Sequence, residues 1–409
     1  MIRVAALLMY CLLSMMWAQG GANYSAFGLG QQRTTFGASY EALAGAAHAV
    51  PSDYVFGIAN PALWVDVKTT RVQGGYRFNQ QRIEQNGTST AQNNGKLDGA
   101  ALLFAIDTGR GIAASVGVFP SGSINYASQR RFQVTLPEIG VLDGSTTYRG
   151  GGGMVTAYAG GAVRLSQNVS VGAAFLYGFG LISDQIETDL LSESSQRAVS
   201  TSNDRLETVG FRAGFSAAIA EGWRGALAVT FFQPLQIERT LIYQSFPSGQ
   251  ATPSFDTSFA RTMSSSMPMT IGGGLSYTLR RWLVTLDGEW SATHAMTYRY
   301  SPIGEAGDSY RASIAVHYRG SRSAGATFDD KLGVGGGVYA ARLPVVISGR
   351  PLDEIGASVG LQIPFGGAAM IDAALTAGIR GRGLPVREEF FRLAVTISVG
   401  EVWFVPFRR

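Results

Sequence analysis

The sequence predicts an all-β fold, a transmembrane antiparallel β-barrel of about fourteen strands closed around an N-terminal hatch, or plug, in its lumen. Three observations lead there. The composition is membrane-like without membrane helices: 53 Gly, 16 Tyr and 22 Phe in 409 residues, 15% charged side chains and a mean hydropathy of +0.10. Apolar residues recur at every second position in segment after segment. The connections between those segments alternate between short and long. A soluble protein of this length has roughly two or three domains, but a large barrel uses the same length as one closed sheet.

Residues 1–18 read as a secretory signal: Arg3, then an apolar core from Val4 to Trp17, with cleavage expected after Ala18. Cys11, the single cysteine, lies inside it, so the mature chain needs no disulfide despite export. Met9-Tyr10 before Cys11 lacks the small residues that lipoprotein processing requires. The 33 Lys and Arg and 29 Asp and Glu are mixed along the chain. With no basic tract, nucleic acid is not an expected partner.

Residues 19–66 form the expected hatch. The stretch from Ala42 to Trp64, ALAGAAHAVPSDYVFGIANPALW, is too broken by Gly and Pro for a regular helix and too irregular for a strand. Phe27, Phe36, Tyr40, Tyr54 and Phe56 would be costly in a disordered tail, so the segment must pack against something. Pro51-Ser52-Asp53 can start a turn or cap a short helical turn. Asn60-Pro61-Ala62 reads as a hinge or as a static turn: Pro61 fixes one φ and pushes Asn60 out of the α region.

Residues 67–409 form the expected barrel. Val169, Val171, Ala173, Phe175, Tyr177, Phe179 and Leu181 alternate with Ser, Gly and Ala. Val209 to Ile219 repeats the pattern, and Val284, Leu286, Gly288 and Trp290 face away from Thr285, Asp287 and Glu289. Ile371 to Ile379 and Phe391 to Val399 do the same against Asp372, Thr376, Arg380 and Arg392, Thr396, Ser398. One face suits lipid and the other a polar interior. Segments start near residues 67, 96, 111, 146, 168, 203, 223, 259, 281, 327, 343, 353, 368 and 387.

Short connections are expected at Asp107–Arg110, Ser166-Gln167, Glu221-Gly222, Arg280-Arg281 and Gly366-Gly367. Long ones are expected near 84–95, 131–146, 187–203, 243–258 and 301–326. Antiparallel strands then carry all short turns at the periplasmic end and all long loops outside. Glu401-Val402-Trp403-Phe404, with Phe407 beyond, suits an aromatic girdle.

Three stretches together resemble the FadL-type outer-membrane transporters of long-chain fatty acids and other hydrophobic compounds, in particular shorter relatives from Bacteroidetes-like bacteria. They are Tyr24 to Gly30 with Leu43–Ala46, Asp53 and Asn60-Pro61-Ala62; Pro268 to Trp290 (PMTIGGGLSYTLRRWLVTLDGEW); and Ile355 to Phe404. The resemblance implies a fourteen-stranded barrel with a luminal hatch containing Asp53, Asn60, Pro61 and Ala62, and uptake without energy input. It also implies an apolar pocket, with exit as the hatch shifts or through a lateral gap in the wall. Leu43-Ala44 departs from the Met-Gly usual in those relatives.

Asp287, Glu289, Arg380 and Arg382 are the expected lumen-facing charges, placed to anchor a hatch or bias a permeant. The sequence contains no His-Glu-x-x-His and no Walker motif, and no catalytic residue, metal or cofactor is expected. Ser291 and His294 lie three apart, on opposite faces of a strand. The reading is a monomeric outer-membrane barrel, bathed in outer-membrane lipid, that passes a hydrophobic small molecule or lipid. The alternatives are a secretion-associated or structural barrel that binds partner proteins and, behind it, a barrel lipid hydrolase.

Overall fold

A computed structural model describes residues 21–403, save 34, 86, 137–139, 192–196, 248–249, 301–303, 322, 324 and 366–367. The expected signal segment 1–18 with Cys11, the turn at Gly366-Gly367, and Phe404 and Phe407 lie outside the described residues.

The wall is built from β1 (Thr70–Gln85), β2 (Thr88–Asp107), β3 (Ile112–Leu136), β4 (Gly140–Arg164), β5 (Val169–Leu191), β6 (Arg197–Ala220), β7 (Trp223–Phe232), β8 (Leu235–Phe246) and β9 (Phe255–Ser265). It continues with β10 (Thr270–Leu279), β11 (Trp282–Ser291), β12 (Gly304–Ala306), β13 (Ser309–Tyr318), β14 (Gly333–Ile347), β15 (Arg350–Pro364), β16 (Met370–Arg380) and β17 (Val386–Glu401). All pairings are antiparallel, and β17 returns to β1, which closes the sheet. Three strands are interrupted along their length. β7 and β8 both pair with β6, β9 and β10 follow one line beside them, and β12 and β13 both pair with β14. The barrel is therefore fourteen-stranded.

The faces sort as a bilayer demands. Phe175, Phe179, Leu181, Phe211, Phe215, Leu227, Val284 and Leu286 point outward and are exposed, while Ser170, Arg212, Ser216, Thr285, Asp287, Thr376 and Thr396 point inward and are buried. A soluble sandwich would invert this arrangement. Trp223 with Tyr277 and Trp282 with Tyr318 pack as tilted ring pairs at the ends of their strands, with centroids 4.8 and 5.0 Å apart. They form an aromatic band beside the short turns. This is an outer-membrane-type multi-pass barrel; no helix among the described residues is long and apolar enough to cross a membrane.

Two expectations about the wall are corrected. The segments near 327 and 343 are one strand, β14, and the missed strand is β13, inside the expected loop 301–326. The strand count survives because the errors cancel. Pro344 does not end β14, because it lies at a register shift between Leu343 and Val346, where a ladder donor is dispensable. The other expected long loops are largely strand: β3 and β4 pair without a break in direction from Ile112↔Val163 to Leu136↔Gly140. Beyond the apolar belt both faces meet water, so the hydropathy alternation fades while the backbone ladder continues.

The outer half of the wall splits. β2 and β3 pair only between Ala100↔Val118 and Asp107↔Ile112; farther out β2 stays with β1 and β3 with β4. On the opposite side β11 ends at Ser291, and β9 rises with β8 as its only strand partner among the described residues.

Candidate functional site: the lumen and its N-terminal segment

Residues 22–67 pack against the inward faces of the strands, and most of them are buried. Gln31 and Arg33 donate backbone hydrogen bonds to Ser123 O and Ser121 O at 2.9 and 3.0 Å, and Ser123 N–H returns one to Gln31 O at 3.2 Å. The segment thus adds a short third rung to β3 where β2 departs. α1 (Ala38–Ala42) lies on β15 to β17. There Ala38 N–H donates to Thr396 Oγ1 and Ala44 N–H to Ser358 Oγ. Ala44 adopts φ +54°, the left-handed conformation glycine takes without penalty, at the position where the FadL-type pattern carries Gly.

The Asn60-Pro61-Ala62 turn sits against β5 and β6. Asn60 is extended, as a residue before proline must be, and its Oδ1 accepts from Ala62 N–H at 3.0 Å. Its Nδ2 donates to His48 O and Phe215 O. Pro61 opens a 3-10 turn, Pro61–Asp66, and Trp64 of that turn is fully buried against Tyr158. Sequence reasoning passed over the glycines that make room. A Cβ on Gly172 would lie 2.6 Å from Pro61 C and 2.7 Å from Ala62 N, and one on Gly214 would lie 2.9 Å from Pro61 Cδ.

The expected lumen charges belong to separate clusters. Asp287 accepts from the backbone N–H groups of Ala47 and His48 and meets His48 Nδ1 at 2.8 Å; Glu289 stands 3.8 Å from His48 Nε2. Arg380 pairs with Glu388 at 3.0 Å and Glu354 at 3.6 Å. Glu388 also accepts from Asn23 N–H at 2.7 Å. Arg382 shares neither cluster: it is exposed in the outer turn after β16. Asp53 is exposed at the opposite end, where its carbonyl accepts from Lys68 N–H.

A third cluster, unnoticed in the sequence, surrounds α1. Asp98 Oδ1 binds Arg33 and lies 3.2 Å from Arg77 Nε, and its Oδ2 accepts from Gly37 N–H at 3.0 Å. Glu41 binds Arg77, Arg33 at 3.4 Å and Arg392 at 3.3 Å. Polar residues spaced by two on β1 and β2 were the available signal, but pairing Asp98 with Arg33 needs the fold.

Above this layer a cavity of about 260 Å³ opens. Its lining mixes apolar Phe119, Met154, Leu176 and Leu352 with the guanidinia of Arg33, Arg77, Arg311 and Arg392 and the carboxylates of Glu41, Asp98, Asp287, Glu289 and Glu354. Its outer neighbour is an apolar cluster that includes Tyr24, Leu29, Ile124, Ile237, Met296 and Tyr298, with Phe27 packed against it. Tyr298 comes from the loop after β11 and donates to buried Asp204 at 2.7 Å.

Burial alone would hold the His48 imidazole neutral, but the Asp287 charge and hydrogen bond, with Glu289, outweigh both burial and the opposing charge of Arg212 and raise its pKa above 6.5. A group raised on docking contributes fully below its free pKa and loses that contribution as pH climbs through the docked one. Detachment of the N-terminal segment, read by limited proteolysis, will therefore become easier from about pH 6.5 upward. His48→Gln will flatten that profile, and an unchanged slope in the variant would show that another group sets it.

The BamG family model matches residues 1–408. The chain belongs to the BamG family. Among solved structures, this BamG-family barrel superposes on the CymD monoaromatic hydrocarbon channel with a TM-score of 0.60, at 13% identity over 93% of this chain and 100% of that one. A Pseudomonas aeruginosa FadL homologue gives 0.62 at 14% identity, covering 90% and 99%. The P. putida toluene transporter TodX gives 0.54 at 14%, covering 91% and 100%. The fold is thus that of the FadL-type channels, as the resemblance implies. No curated protein matches the sequence.

Proposed function

We propose that this barrel passes small hydrophobic molecules across the outer membrane by passive diffusion, as a monomer, with residues 19–66 as the hatch. The finer assignment is an amphipath with an acidic head, such as a long-chain fatty acid. The cavity carries this reading. Its apolar lining suits a hydrocarbon, its Arg311 guanidinium, held by Ala44 O, suits a carboxylate, and its size is near the lower end for small-molecule pockets. The names of the structural neighbours, which are channels for toluene and monoaromatic hydrocarbons, support a hydrophobic permeant. Phe27 and Leu29 occupy the outer apolar cluster, so a solute must displace the segment that bears them. Transport then couples to hatch position through the same residues that line the path. The seam between β2 and β3, covered by Gln31–Arg33, is the natural lateral exit.

Uptake of labelled long-chain fatty acid into proteoliposomes tests this. The protein will exceed protein-free liposomes, and Arg311→Gln will slow the fatty acid several-fold while leaving toluene unaffected. A rate equal to that of empty liposomes sinks the transport reading. One observation favours the second reading, a barrel that binds partner proteins: β9 stands above the apolar belt with one edge unpaired among the described residues and most of its own residues exposed. Stoichiometric co-purification of a protein along that edge, without uptake, distinguishes it. The hydrolase reading gains nothing: the Ser291 hydroxyl bonds Thr270 at 2.7 Å, and exposed His294 bonds Asp308 at 2.6 Å.

A further inference from the structure

At the periplasmic end a cavity of about 520 Å³ is framed by Arg224, Arg280, Arg281 and Arg319, together with Asp53 and Asp66 of the N-terminal segment. Four guanidinia face two carboxylates, which leaves an uncompensated positive charge. The carboxylates do not quench it evenly. Asp66 is taken by Arg224 at 2.7 Å and by Arg164 at 3.3 Å. Arg319 Nη2 donates to Pro51 O at 2.7 Å, which fixes that guanidinium beside the segment, and Arg281 Nη1 donates to Tyr318 Oη at 3.2 Å.

A second feature points to the same place. Arg280 occupies the two-residue turn between β10 and β11 with φ +54°. The neighbouring turn, Glu221-Gly222, meets the same demand with glycine at φ +75°. A long side chain is uncommon in the left-handed region, and here the turn places one at the cavity mouth. The aromatic pairs Trp223–Tyr277 and Trp282–Tyr318 flank these turns, with Trp223 and Trp282 exposed to the bilayer. Aromatic bands of this kind lie at headgroup level. The cavity therefore opens at the height of the inner-leaflet phosphates.

We propose that Arg224, Arg280, Arg281 and Arg319 form a phosphate-anion site at the periplasmic mouth, occupied by the headgroup of a phospholipid. Arginine forks match phosphate oxygens in pairs, and the bound anion neutralises the surplus charge next to Pro51 and Asp53. The site ties the lower end of the N-terminal segment to the membrane surface, and it stands whether or not the barrel transports anything.

The test is binding to the full-length protein in detergent, by calorimetry, with two probes: short-chain phosphatidylglycerol and inorganic phosphate. The lipid will bind at one-to-one stoichiometry, and Arg280→Gln/Arg281→Gln will weaken it at least tenfold. Arg382→Gln, in the outer turn, will leave it unchanged. If inorganic phosphate competes at equal affinity, the same site stands with a soluble anion as its source. Should neither probe bind, or should the double variant bind as tightly as the native protein while migrating as a folded barrel, the proposal is overturned.

Discussion

Asp98→Ala will cost about 3–5 kcal/mol and release the N-terminal segment while leaving the wall closed. Asp98 is buried to 1% exposure, and Arg33, Arg77 and Gly37 N–H all direct donors at it. Around α1 the three guanidinia of Arg33, Arg77 and Arg392 share Asp98 and Glu41 as ion-pair partners. Removing Asp98 leaves Glu41 as the ion-pair partner of three guanidinia that are at most 15% exposed, where unbalanced charge is expensive. The wall itself loses little, because β2 keeps its ladder with β1 on both sides of the bulge at Asp98. Limited proteolysis will then cut within residues 21–66 far faster than in the native protein, while heat-modified migration of the barrel in gels persists. Asp98→Asn, which keeps the acceptor for Gly37 and drops the charge, will fall between the two. If Asp98→Ala is cut no faster than the native chain, the charge cluster does not hold the segment.

How much of this was legible follows from where each signal resides. The belt strands were readable because lipid on one side and lumen on the other impose a period of two on the residues themselves, as Phe175 to Leu181 shows. The outer arms were not, because water on both sides of residues 125–136 removes the contrast although the ladder persists. β13 hid behind Arg311 and His317, which suit a solvated loop as well as a polar lumen. Asp287 and Arg380 were placed on the inner face by the same period-two argument, but their partners were beyond reach. His48 lies 239 residues from Asp287, and Asn23 lies 365 from Glu388. Nothing local encodes such contacts. They arise only once the N-terminal segment is threaded through a closed ring.

The small residues facing inward on β5 and β6 were visible as small but not as necessary, and they carry the other large expected effect. Gly172 and Gly214 stand opposite Pro61 and Ala62 so closely that any side chain meets backbone or ring atoms. These atoms cannot swing aside: Asn60 is held to His48 O and Phe215 O, Ala62 O accepts from Ser170 Oγ, and Trp64 behind it is fully buried. Gly172→Val with Gly214→Val must therefore move the turn as a body. Overpacking of this kind costs about 1–3 kcal/mol at each site, and the load falls on the docked segment because β5 and β6 are each locked by two neighbours. The barrel will assemble, the segment will become protease-sensitive, and bilayer conductance will rise as the lower lumen opens. Gly161→Ala provides the control: it faces outward on β4 and its Cβ meets nothing nearer than Ala113 O at 3.6 Å. A double variant as closed and as resistant as this control would mean that the turn can seat elsewhere in the lumen. The tight fit to β5 and β6 would then be incidental to how the segment is held.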